Sequence, residues 1–172
     1  NLIKYLDSFE RLLKVEKEIK DIIAYLRLIN NPSDNLALKR IINEPKRGIG
    51  KTSLDKIQAI SEQTGIPMYQ IIKEADQYGL SRVYSNAQGF IEVIEDLISK
   101  KDEYTITELI KHRLKETGYT KALEDENSIE AENRIENLEE FLTVAVQFEE
   151  EEADNDLSTF LEGITLSSDI DG

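Results

Sequence analysis

A chain of 172 residues with 40% hydrophobic side chains can bury a real core and suits a single domain. With no cysteine and one histidine it excludes disulfides, thiol chemistry and a zinc site, which fits a reducing cytoplasm. No apolar run of about 18 residues crosses a membrane, and no secretory signal pattern opens the chain. The net charge of −14 is segregated. Ser128 to Gly172 holds fourteen acidic residues and one basic residue, Arg134, whereas Ser33 to Ile60 holds six basic and three acidic. Such asymmetry predicts an acidic surface that repels nucleic acid, with basic contact points elsewhere. Beginning on Asn1, the chain reads as a processed product or as a piece of a longer protein.

Apolar spacing predicts helices throughout. Residues 2–29 read as one long helix carrying Ile19, Ile22, Ile23, Leu26 and Ile29, ended by Asn30-Asn31-Pro32. Ser33 or Asp34 caps a short helix with Leu38, Ile41 and Ile42 inward. After a glycine turn, Thr52 or Ser53 caps a helix with Leu54, Ile57 and Ile60, stopped at Thr64-Gly65. Ile66-Pro67 opens another with Tyr69, Ile71 and Ile72, and Gly79 marks the next break. Ser81 opens a helix with the stripe Ala87, Phe90, Ile91, Ile94, Leu97 and Ile98. Thr105 caps a further helix with Ile106, Leu109, Ile110 and Leu114, closed by Gly118, and Tyr119 reads as a packing residue. Ser128 opens the longest late helix, with Ile135, Leu138, Phe141, Leu142, Ala145 and Phe148 in line. Periodicity breaks from Glu149 to Asp156, and a last helix holds Leu157, Phe160, Leu161 and Ile164. With no convincing strand and no internal repeat, the fold class is all-α. It is an irregular multi-helix domain with a helix–hairpin–helix-like glycine turn.

That turn, Asn43 to Ile57, reads NEPKRGIGKTSLDKI. Pro45 ends the helix before it, and Gly48 and Gly50 allow positive φ and leave backbone amides unshielded. Amides at a helix N-terminus with cations beside them form a site for a phosphate oxygen. Three readings stand side by side: a hairpin gripping a nucleic-acid backbone, an ordinary helix–helix turn, and a nucleotide-binding P-loop. The last is disfavoured. Aligning Gly50-Lys51-Thr52 on the P-loop tail puts Pro45 where its first glycine belongs, and Leu38, Ile41 and Ile42 before it have helical spacing. His112, between Lys111 and Arg113, reads as a surface histidine. Asp169 and Asp171 resemble the start of a calcium loop, but the chain ends before the other ligands. Glu139-Glu140 and Glu149 to Glu152 read as a solvated acidic surface. No catalytic residue and no metal ligand is assigned.

Three segments carry a family resemblance: Glu18 to Ile29 (EIKDIIAYLRLI), Arg40 to Gly50 (RIINEPKRGIG) and Glu132 to Phe141 (ENRIENLEEF). In this order and spacing they resemble motifs of UvrD/Rep-type DNA helicases, from about Glu18 to Asp171. One segment departs from the pattern. Asn1 to Lys17 lacks the glycine pair usual in the family, and Glu16 stands where an arginine is expected.

The resemblance implies that residues 1–172 are one all-helical accessory domain, called 2B, with 1–17 an atypical segment of the same long helix. It implies binding to double-stranded DNA at a fork junction and regulation of an ATP-driven 3′–5′ motor. ATP and Mg²⁺ would be held by segments outside this chain, and this fragment alone would bind no cofactor and catalyse nothing. Further implied partners are the helicase's own motor domains and repair or transcription proteins, in the bacterial cytoplasm. The expected DNA-contact residues are Lys46, Arg47, Gly48, Ile49, Gly50, Lys51, Thr52, Ser53 and Lys56. Ile49 would be the hairpin's apolar tip, the amides from Gly48 to Ser53 would receive a phosphate, and the cations would supply charge. The alternative from another class is an acidic protein-interaction module without direct DNA contact.

Overall fold

Most helices form where the apolar spacing places them, and among the described residues no strand forms. The structure is a computed structural model that describes residues 16–170, with side chains described to residue 166. Its centre is α1 (Lys17–Asn30), in which Ile19, Ile22, Tyr25, Leu26, Leu28 and Ile29 are all buried. A helix apolar on nearly every side must be covered on nearly every side. Four elements cover it: α2 (Asn35–Ile41), α5 (Ser81–Ser99), α8 (Ile129–Glu151) and α9 (Leu157–Ile170). Between α2 and α5 run α3 (Lys51–Thr64), α4 (Met68–Lys73) and a 3₁₀ turn, Ala75–Tyr78.

The helix ends follow local chemistry. The Asp34 carboxylate accepts the Ala37 amide at 3.0 Å and starts α2. Thr105 and Ser128 accept the amides of Glu108 and Ala131 at 3.0 and 3.1 Å and start α6 (Ile106–Glu108) and α8. Asp156 accepts the Thr159 amide at 2.8 Å near the start of α9, and that bond holds its carboxyl below the usual carboxylate range. Gly65, Gly79 and Gly118 end their segments in the left-handed region that glycine takes without strain.

The structure corrects several sequence expectations. Gly50, not Thr52 or Ser53, is the N-cap of α3, and the helix already begins at Lys51. The helix after Thr105 is irregular: α6 passes into a π turn (Leu109–Arg113) and a 3₁₀ turn (Leu114–Thr117). An unforeseen helix, α7 (Tyr119–Glu126), fills the space before Asn127. α8 continues through Glu151, past the expected break at Glu149. Ile135 and Leu138 on its stripe are half-buried, and the core begins in earnest at Phe141. Glu16 is extended, so the described first helix starts at Lys17. The expected helix over 2–15 and the acidic pair's Asp171 lie outside the described residues.

Candidate nucleic-acid interface

The glycine turn joins α2 to α3 and is braced from within. Ile41 and Ile42 are fully buried and fix the end of α2 in the core. The Glu44–Pro45 peptide is cis. The Asn43 side chain spans the turn: its Nδ2 donates to the Ile49 carbonyl at 2.6 Å, and its Oδ1 accepts the Ile49 amide at 3.1 Å and the Arg47 amide at 3.4 Å. Gly48 has φ +73°, a conformation an L side chain adopts only with strain. Gly50 has φ −72° and ψ 168°, which any residue can adopt, and space above it is open. Only one of the two glycines therefore serves the backbone conformation.

Two of the expected contact residues point inward. Ile49 is 2% exposed: it is the hairpin's anchor in the core, not its tip. Its amide is also taken by Asn43. Arg47 donates through Nη1 to the carbonyls of Ile41 and Ile42, each at 2.9 Å. Through Nη2 it donates to the Tyr25 hydroxyl at 2.8 Å and the Thr117 carbonyl at 3.1 Å. Its guanidinium lies 4.5 Å from the Phe90 ring centroid, and Tyr25 completes the brace by donating to the Glu44 carbonyl at 2.5 Å. A planar five-donor fork suits this convergence of carbonyls and an aromatic face. Arg47 spends its donors holding the turn to α1, to α5 and to the segment before Gly118.

The remaining residues face out. Gly50, Lys51, Thr52 and Lys56 are exposed, and Ser53 is half-buried behind them. No side chain caps α3, so the amides that open the helix at Lys51, Thr52 and Ser53 are offered outward. Lys51 pairs with Asp55 at 3.0 Å, a surface contact of little strength. Lys56 and Lys46 have no carboxylate within ion-pair distance among the described residues, although the chain as a whole is strongly acidic. Lys46 stands apart from the α3 cations, on a cleft of about 240 Å³ that it lines with Lys17, Glu44, Tyr119, Glu126 and Arg134.

Behind the hairpin, the three segments that carry the family resemblance meet through buried polar groups. Asp21, 1% exposed, accepts from Arg40 Nε at 2.9 Å, from Lys17 Nζ at 2.8 Å and from the Tyr119 hydroxyl at 2.6 Å. Glu18, equally buried, accepts from Asn137 Nδ2 on α8 at 2.7 Å. Asp21 thus has the cations and the hydroxyl donor that a buried carboxylate needs, and Glu18 has an amide donor. Burial opposes the charge on Lys17, but Asp21 and Glu44 outweigh it and hold the ammonium above its ordinary pKa. Burial, reinforced by the Asp21 carboxylate, pushes the Tyr119 phenol well above the usual range, and burial does the same for Tyr25.

Sequence reasoning passed over Asn43, Tyr25 and Asn86. Asn43 and Tyr25 lie inside the resembling segments, where a side chain able to bridge or brace a turn was available to notice. Asn86 had no such signal. It lies on the exposed face of α5, far along the chain, and donates to the Gly48 carbonyl at 3.2 Å. His112 is exposed. Among the described residues no group of His, Cys, Asp or Glu converges to hold a metal ion, and Gly50-Lys51-Thr52 caps and opens α3 after a helix rather than after a strand.

The UvrD-like helicase C-terminal domain family matches residues 7–172 of this chain. The match reaches into the segment before Glu18. The chain is 45% identical over 156 residues to the ATP-dependent DNA helicase PcrA of Bacillus subtilis, covering 90% of this chain and 21% of that protein. It is 40% identical over 158 residues to PcrA of Staphylococcus aureus and 42% identical over 158 residues to PcrA of Staphylococcus epidermidis, covering 90% of this chain and 22% of each. The chain therefore spans about a fifth of the length of these curated relatives.

Proposed function

We infer the function from one premise: the chain belongs to the UvrD-like helicase C-terminal domain family. We propose that it is the duplex-binding and regulatory accessory domain of an ATP-dependent 3′–5′ DNA helicase of the bacterial cytoplasm. ATP and Mg²⁺ would act in motor segments outside this chain, and those motor domains are its first partners. Repair or transcription proteins are further ones. The hairpin holds the phosphate backbone of double-stranded DNA near a fork. Lys51, Thr52, Ser53 and Lys56 supply contacts, Gly50 leaves the α3 amides uncovered, and Lys46 adds charge from the flank. Arg47, Gly48 and Ile49 serve the same site by holding its shape. Phosphate contacts of this kind set position and read no base sequence.

The observation that carries this reading is the uncapped start of α3, open above Gly50 and flanked by cations, on a hairpin braced by Asn43 and Arg47. The test is fork-DNA affinity of this chain, by fluorescence anisotropy across a salt series. Lys51→Ala with Lys56→Ala should weaken binding equally for all duplex sequences. It should flatten the slope of log K against log salt by about 0.9 for each phosphate left unneutralised. An unchanged slope in that double mutant would remove the hairpin from the interface.

A second reading, an acidic protein-interaction module, draws on the exposed carboxylates of α8, Glu130, Glu132, Glu136, Glu139 and Glu140. It predicts a chain that captures a basic protein segment and ignores DNA in the same salt series.

A further inference from the structure

Asn86 ties the exposed face of α5 directly to the glycine turn. Its Nδ2 donates to the Gly48 carbonyl at 3.2 Å, and a Cβ on Gly48 would stand 3.1 Å from that same nitrogen. Four residues on, the Phe90 ring carries the Arg47 guanidinium on the helix's inner side. The outer side near the turn therefore continues the hairpin surface. It consists of Arg82, Ser85, Asn86 and Gly89, all exposed and at helical spacing. No carboxylate interrupts this face before Glu92.

The Arg82 side chain makes no hydrogen bond or ion pair with any described residue, in a chain with 35 acidic and 21 basic residues. It stands one helical turn, about 6 Å, from Asn86. Gly89 has nothing within 4 Å of a built Cβ, so packing does not require a glycine there. A mid-helix glycine costs about 1 kcal/mol relative to alanine.

We propose that this face of α5, with Arg82 as its cation, is a second phosphate contact adjoining the hairpin. Together the two engage neighbouring phosphates of one bound duplex. The proposal rests on the hairpin's binding DNA, and it adds residues from a separate element. Asn86 is the positioning residue that keeps the two surfaces in register, while Arg82 touches the phosphate. A bare backbone at Gly89 lets the DNA strand lie close to the helix.

The experiment compares this chain with Arg82→Ala, Ser85→Glu, Ser99→Glu and the Lys51/Lys56 double alanine, on one fork duplex over a salt series, with melting temperatures in parallel. Ser99 is exposed at the far end of α5, about 21 Å along the helix from Ser85 and two Debye lengths away at 0.1 M salt. Arg82→Ala should melt as the parent chain does, bind about 3- to 10-fold more weakly at low salt, and lower the steepness of the salt slope by about 0.9. Ser85→Glu should weaken binding and Ser99→Glu should not. Parent-like affinity and slope in Arg82→Ala, with binding abolished in the lysine double mutant, would overturn the second contact and leave the hairpin standing. Equal weakening by Ser85→Glu and Ser99→Glu would also overturn it, since bulk charge would then explain both. No duplex binding, or binding indifferent to the lysine changes, would remove both contacts.

Discussion

Lys46 and Arg47 are adjacent, both cationic, and turned to opposite sides of the chain. Lys46 ends in solvent beside a cleft, while Arg47 ends among four oxygens and a phenyl ring. Arg47→Ala should therefore act on stability before it acts on binding. Losing charge-assisted hydrogen bonds and leaving carbonyls unpaired should cost roughly 2–3 kcal/mol, measured by chemical denaturation. Arg47→Lys should recover little, because an ammonium cannot span the fork. The glycines separate in the same way. Gly48→Ala should cost about 1 kcal/mol through its positive φ. Gly50→Asp meets no such strain and provides a cap for α3, so it should raise stability by about 0.5 kcal/mol. Its carboxylate would also occupy the open amides, so duplex affinity should fall while the melting temperature rises. A Gly50→Asp variant that binds normally would show that no phosphate sits there. Three phenols give a pH test: burial raises Tyr25, Tyr119 and Tyr69 above 10.0, against the opposing Arg47 charge at Tyr25 and with the help of Asp21 at Tyr119 and of Glu95 at Tyr69. The unfolded chain then releases these protons first, so their stabilisation is complete below pH 10 and is lost as pH climbs beyond it. Phenolate absorbance should show these three of the seven tyrosines ionising only as the chain unfolds.

At the level of elements, apolar spacing and glycine stops were legible because both act locally. Ile19, Ile22, Ile23, Leu26 and Ile29 announce α1, and Gly65, Gly79 and Gly118 stop chains where a left-handed residue is needed. What stayed hidden depends on distant partners. α7 has one fully committed anchor, Tyr119, whose hydroxyl reaches Asp21 across 98 residues, and its other side chains are exposed or half-buried. A helix held by its first residue leaves almost no periodic trace. The inward fate of Arg47 depends on Thr117, 70 residues away, and nothing in the local sequence RGIG signals it. Ile49 was misplaced because a glycine-flanked isoleucine suggests an exposed loop tip, whereas Asn43 folds the turn back and buries it. α5 adds an element-level prediction. Gly89→Ala should raise stability by about 0.5–1 kcal/mol, the ordinary gain for an open helical site, as read by thermal melting. A drop in melting temperature would mean that the position is not open.

Across the whole molecule, charge is sorted: the hairpin side collects lysines while α8 presents a file of carboxylates. The carboxylates are not equivalent, because Glu149 accepts the Thr107 amide at 2.6 Å and helps hold α6 to α8. Glu149→Ala, which removes that acceptor, should therefore lower the melting temperature, and weaker DNA binding in that variant would say nothing about electrostatics. Glu132, Glu136, Glu139 and Glu140 are exposed and form no ion pair among the described residues. Changing these four to Gln removes charge without removing a bond. If they act on DNA only through the field, affinity should rise severalfold at low salt, where the Debye length is about 30 Å at 0.01 M. The gain should vanish near 1 M, where that length is about 3 Å. The quadruple variant should consequently show a steeper salt dependence than the parent chain, opposite in sign to the flattening expected for the lysine and Arg82 variants. A gain that persists at high salt would instead place α8 in contact with the duplex. A fall in affinity would mean that these carboxylates help to hold the binding surface in place.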